Sequence, residues 1–89
     1  MTTTIYKYAL DSCAFQSTIQ MPKETKILHV DSQHDDICLW AEVDPTVELE
    51  DRIFKIFGIG WEIPARNRKY LGTAKISDDR FIFHVYEKL

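Results

Sequence analysis

Cysteine, proline and glycine are all scarce in this 89-residue chain, at two, three and three residues. The two cysteines, Cys13 and Cys38, share no close-spaced motif, so they make no zinc site, which wants four ligands. One disulfide between them is compatible with their spacing, and two reduced thiols of an intracellular protein fit the composition better. No stretch approaches the apolar length of a membrane span. The first ten residues, MTTTIYKYAL, lack a basic start followed by an apolar core, so they do not read as a signal peptide. Basic excess is missing too: the net charge is −3, which argues against general nucleic-acid binding, since a general phosphate binder usually carries surplus Lys and Arg. The expectation is a soluble intracellular protein that needs no cofactor.

What the chain does have is β-rich alternation. Its hydrophobic fraction is 45%, typical of a folded protein. Its length predicts one domain, residues 1–89, burying roughly 60–65% of its unfolded surface. The stretch KILHVDSQHDDICLWAEVD, Lys26–Asp44, reads as a long hairpin: two apolar runs, Ile27–Val30 and Ile37–Val43, flank the polar cluster Asp31–Asp36. Ile37, Leu39, Ala41 and Val43 share one strand face, with Cys38, Trp40 and Glu42 on the other. Thr4–Leu10, Phe15–Met21 and Phe81–Tyr86 alternate in the same way, and Tyr70–Ile76 reads as a further strand. Arg52–Ile59 is apolar on both faces, as a strand covered on both sides would be. Gly72 marks a bulge or a close backbone approach. Met21–Glu24 and Ser77–Arg80 are turns. Pro45 followed by the acidic stretch Thr46–Asp51 fits one helical turn or a loop. About seven short, mostly antiparallel strands without a long helix predict an all-β small sandwich or open barrel.

The segments IYKY, MPKETKIL, LWAEVDP, FGIGWEI, YLGTAKI and FIFHVYE, in this order from Ile5 to Glu87, resemble a small family from phages and prophages catalogued as a domain of unknown function. The chain departs from that pattern at Thr25 and Ile59. The resemblance implies a phage accessory gene expressed in the cytoplasm of a bacterial host. It brings no catalytic residues.

The best candidate site is the longest connection, WEIPARNRK, where Arg66, Arg68 and Lys69 crowd together with Trp61 at the other end and Tyr70 just beyond. Guanidinium groups and an indole hold nucleotides, the first by phosphate, the second by stacking. They are also enriched at protein–protein hot spots, and long loops on small scaffolds tend to carry function. The glycine pair Gly58 and Gly60 lacks the helix and lysine of a phosphate loop and reads as a turn. His29, His34, Asp35 and Asp36 have metal-ligand chemistry, but on a polar turn whose geometry is not preset. No nucleophile–base pair or acid pair stands out, so the chain reads as a binding protein and not an enzyme. Surplus apolar surface on Cys38, Trp40, Arg52–Ile59 and Phe81–Tyr86 predicts a symmetric homodimer.

The function expected is inhibition of a bacterial host factor, such as a defence component, through Trp61, Arg66, Arg68 and Lys69. Two alternatives stand beside it. One is a sponge for a signalling nucleotide, with Arg66 and Arg68 on phosphates and Trp61 or Tyr70 stacking the base. The other is a minor virion structural protein.

Overall fold

The computed structural model describes residues 2–11, 14–64 and 67–89. Seven strands follow one another: β1 Thr4–Leu10, β2 Gln16–Pro22, β3 Lys26–Gln33, β4 Asp36–Val43, β5 Leu49–Gly58, β6 Arg68–Ile76 and β7 Phe81–Lys88. They form two sheets, β1-β4-β3 and β2-β5-β7-β6, with every pairing antiparallel. There is no closed barrel, and no helix among the described residues. The sheets face each other as a sandwich, in agreement with the all-β reading.

Alternation explains which faces meet. In β4 the inward set Ile37, Leu39, Ala41 and Val43 is almost wholly buried. From the other sheet Phe54 and Ile56 of β5, Phe83 and Val85 of β7 and Ala74 of β6 close the core. Burying side chains of this size contributes roughly 1.5–3 kcal/mol each. The sheets approach most closely along β3 and β6. There a Cβ on Gly72 would stand 2.8 Å from the Val30 Cβ. Gly72 also lies at a register shift in the β6–β7 ladder, so it marks both a bulge and a close approach.

The core also holds one ion pair. Arg52 of β5 donates through Nε and Nη2 to the two carboxylate oxygens of Glu87, at 2.6 and 2.7 Å, and through Nη1 to the Thr25 carbonyl at 2.6 Å. Glu87 is 7% exposed. The bidentate geometry satisfies both charges, the condition under which a buried carboxylate is tolerated.

The structure revises several boundaries. The Asp31–Asp36 turn is shorter than expected: the ladder runs to Gln33 opposite Asp36, leaving only His34 and Asp35 as the loop. Both have positive φ, 52° and 63°, as a two-residue type I′ turn demands. The acidic stretch forms no helical turn. β5 begins at Leu49 because Leu49, Glu50 and Asp51 pair with Pro22, Met21 and Gln20. Arg68 and Lys69 are not loop residues: they open β6, opposite Lys88 and Glu87. Cys38 lies on the outer side of its sheet as expected, yet is buried. Lys7 crosses over β4 to bond Gln33 Oε1 at 2.6 Å, so an aliphatic stem covers the thiol. Burial pushes the Cys38 pKa up, against a smaller lowering by Lys7.

One topological feature builds the candidate site. β5 and β6 both run antiparallel to β7, on its two sides. They are therefore parallel to each other, and their connection has to cross a face of the sheet. It starts on the core side, where Trp61 lies against Gly58. It ends on the outer side, where Pro64 and Asn67 stand over residues of β5 and β7.

Candidate functional site

The outer face of the four-stranded sheet carries three cross-strand rows. Ile53 of β5, Lys88 of β7 and Arg68 of β6 form the first; Lys55, Tyr86 and Tyr70 the second; Phe57, His84 and Thr73 the third. Tyr70 and Thr73 are three residues apart, which in a regular strand would put them on opposite faces. The bulge between Tyr70 and Gly72 absorbs one residue and returns both to the same side. Side-chain contacts follow: Tyr70 Oη lies 2.5 Å from Thr73 Oγ1, which lies 2.9 Å from His84 Nδ1.

Within these rows the rings and cations touch. Phe57 and Tyr70 both meet Tyr86 edge-to-face, at 5.7 and 5.4 Å between centroids. The Arg68 guanidinium lies over the Tyr86 ring at 5.5 Å, within cation–π range. Arg68 also donates through Nη1 to the Pro64 carbonyl, which ties the crossing connection to the start of β6. Asn67 adopts φ 53°, and its carbonyl accepts the Leu89 N–H at 2.7 Å. Together Lys55, Phe57, Pro64, Asn67, Arg68, Tyr86 and Lys88 enclose a cavity of ≈ 180 Å³. Among the described residues three cations line it and no carboxylate does. Such a lining suits an anion with an apolar or aromatic body.

The five residues singled out in the sequence do not form one patch. Arg68 lines the cavity, and Tyr70 joins its aromatic wall from the next row. Lys69 is opposite Glu87, a core-side residue, and so leaves from the other face. Arg66 lies outside the described residues, as does Cys13. Trp61 belongs to a second feature on the core side, beyond the end of the three-stranded sheet. Its indole packs edge-on to Phe15 at 4.9 Å and near Phe83 at 6.2 Å. With Ile59, Arg80 and Phe81 these rings line a groove of ≈ 390 Å³. Phe15, Ile59, Trp61 and Phe81 are each more than 40% exposed, so this is a continuous apolar patch on the surface. The Gly58–Gly60 stretch is a turn: Trp61 N–H bonds the Gly58 carbonyl at 3.2 Å, and Gly60 has φ 84°.

Lys55, Phe57, Tyr86 and Lys88 were not among the sequence candidates. Around the β3–β4 turn, His29 Nε2 lies 3.4 Å from Asp31 Oδ2, and Asp35 accepts the Ser77 N–H at 3.0 Å. No group of three His, Cys, Asp or Glu among the described residues could hold a metal ion. No helix among the described residues is long and apolar enough to cross a membrane.

Compared with known proteins, residues 1–89 match one family model, described as Domain of unknown function (DUF7352). No curated protein and no solved structure matches the chain. The chain belongs to the DUF7352 family.

Proposed function

We propose that this DUF7352 member is a non-catalytic binding module for a small phosphorylated compound, a nucleotide above all, held at the cavity on the outer face of the four-stranded sheet. One observation carries the reading. Lys55, Arg68 and Lys88 converge on a cavity that has no carboxylate among its described lining residues, beside the rings of Phe57 and Tyr86. The cations would take the phosphate and the exposed ring of Tyr70 the base, with Phe57 and Tyr86 as the apolar wall of the cavity. The likeness to phage and prophage proteins supports sequestration of a host signalling nucleotide in the bacterial cytoplasm as the setting. Titration calorimetry with inorganic phosphate, nucleoside monophosphates and cyclic dinucleotides tests it. Binding of at least one nucleotide in the micromolar range is expected, weakened tenfold or more by R68A or K88A. No binding below millimolar for the whole panel overturns the proposal.

A second reading has its own observation, the exposed groove of Phe15, Ile59, Trp61 and Phe81. Patches of this kind mark protein contacts. A host protein inhibited through Trp61 and a homodimer would both use it. Sedimentation velocity separates them: a dimer dissolved by W61A assigns the groove to self-association, and a monomer assigns it to a host protein. Particle co-purification would instead favour a virion role.

A further inference from the structure

We infer that the outer face along β6 and β7 is a track for a short single strand of nucleic acid, of which the cavity is one end. The inference rests on the nucleotide reading and extends it beyond the cavity. The chain is acidic overall, at −3, but its charges are unevenly placed. Lys55, Arg68 and Lys88 stand at the cavity, and Lys75 of β6 extends the same face past Thr73 and opposite Ile82. His84 lies between, bonded to Thr73. Among the described residues the strands of this face carry one side-chain carboxylate, Asp51, opposite Gln20 and one row beyond Ile53 and Lys88; Glu62 is on the crossing connection near Lys55 and Phe57, and Asp78 and Asp79 are in the β6–β7 turn. A basic stripe on an acidic protein is the electrostatic footprint that net charge conceals.

Length and ring placement favour a strand over a lone mononucleotide. Arg68 and Lys75 stand opposite Lys88 and Ile82, six positions apart on β7, about 20 Å at strand rise. That span exceeds one nucleotide and fits the lower part of the roughly 4–16 nucleotide range of single-strand binding sheets. Tyr70 is 52% exposed a third of the way along it, with its hydroxyl fixed by Thr73, so its ring is held in place for a base. Tyr86 is covered on one side by Arg68, so it lines the cavity instead of offering a free stacking face. Duplexes fit poorly, because the bases of a duplex are not available to Tyr70.

Fluorescence anisotropy with labelled eight-nucleotide oligo-dT and oligo-rU, against thymidine and uridine monophosphates as competitors, tests the inference. The full chain is used at 50 and 200 mM salt. Either oligonucleotide should bind at least tenfold more tightly than its monophosphate. K75E should weaken oligonucleotide binding about tenfold and lower the salt slope by about 0.7 per lost contact. K26E, on the other sheet, makes the same change in net charge and should leave oligonucleotide binding as it was. An oligonucleotide no tighter than its monophosphate overturns the track and leaves the cavity reading standing. Oligonucleotide binding indifferent to K75E also overturns it. If neither oligonucleotides nor monophosphates bind, the track is overturned, and the cavity reading is decided by the calorimetric panel with cyclic dinucleotides. The dT and rU arms tell DNA from RNA.

Discussion

A methyl group on Gly72 would stand 2.8 Å from the Val30 Cβ, a branched carbon rooted in the facing sheet. Neither partner can swing aside, because Val30 is part of the buried core and Gly72 is held in the β6–β7 ladder. The sheets would have to part locally, and overpacking of this kind costs roughly 1–3 kcal/mol. Gly58 makes a contrast. Its added methyl would meet the Trp61 indole at 2.8 Å, but that ring is 46% exposed and free to move outward. Urea unfolding should therefore place G72A about 2 kcal/mol below the parent protein. G58A should lose less and show a red-shifted tryptophan emission. Equal stability losses for the two would contradict the rigidity assigned to the β3–β6 seam.

Strands explain what was legible in the sequence and what was not. Period-two alternation in β4 and β7 revealed their inward faces, because each buries one side against the other sheet. It could not say which strands pair. β2 and β3 are joined by a tight turn yet lie in different sheets, a choice made by tertiary packing. The site was hidden for the same reason. Lys55 and Phe57, Arg68 and Tyr70, and Tyr86 and Lys88 are each a cation and a ring two positions apart, hence on one face of one strand. The three pairs become a site only when β5, β7 and β6 stand side by side. Reading Arg68 and Lys69 as loop residues concealed that alternation sends them to opposite faces. The β3–β4 hairpin offers a test at this scale. Its loop holds His34 and Asp35 in the left-handed region, where a side chain costs about 1 kcal/mol. H34G should raise the melting temperature by about 4–8 °C. D35G should gain little, because it also removes the acceptor of the Ser77 N–H, a bond worth about 1 kcal/mol. An equal rise for both would show that this link between the hairpin and the β6–β7 turn contributes nothing.

For the molecule as a whole, stability should form a plateau in pH whose alkaline edge is set by one buried group, Cys38, and one half-buried group, Tyr8. Burial raises the Tyr8 pKa, with Tyr6 adding and Arg52 opposing. Burial likewise raises that of Cys38, with Lys7 opposing and Asp36 adding. A raised folded pKa means that the neutral form is favoured by folding. Its stabilisation is complete below the unfolded pKa, about 8.5 for a thiol and 10 for a phenol, and is lost as pH climbs through the folded value. The acid edge has the opposite sign. The Ser32 N–H and then His29 lower the Asp31 pKa, and the Thr46 hydroxyl and N–H lower that of Asp44. Their contribution is present above the ordinary carboxylate value, about 3.9, and disappears as pH falls through the depressed ones. Both carboxylates are at the surface, where solvent screening keeps such effects small. The alkaline edge should therefore be the steeper, and melting followed by circular dichroism from pH 3 to 11 checks it. C38S should remove the part of the decline that begins near pH 8.5, and Y8F the part that begins near 10. A melting temperature that rises between pH 8 and 10, or an alkaline decline untouched by either substitution, would show that these two groups are not the ones folding keeps neutral.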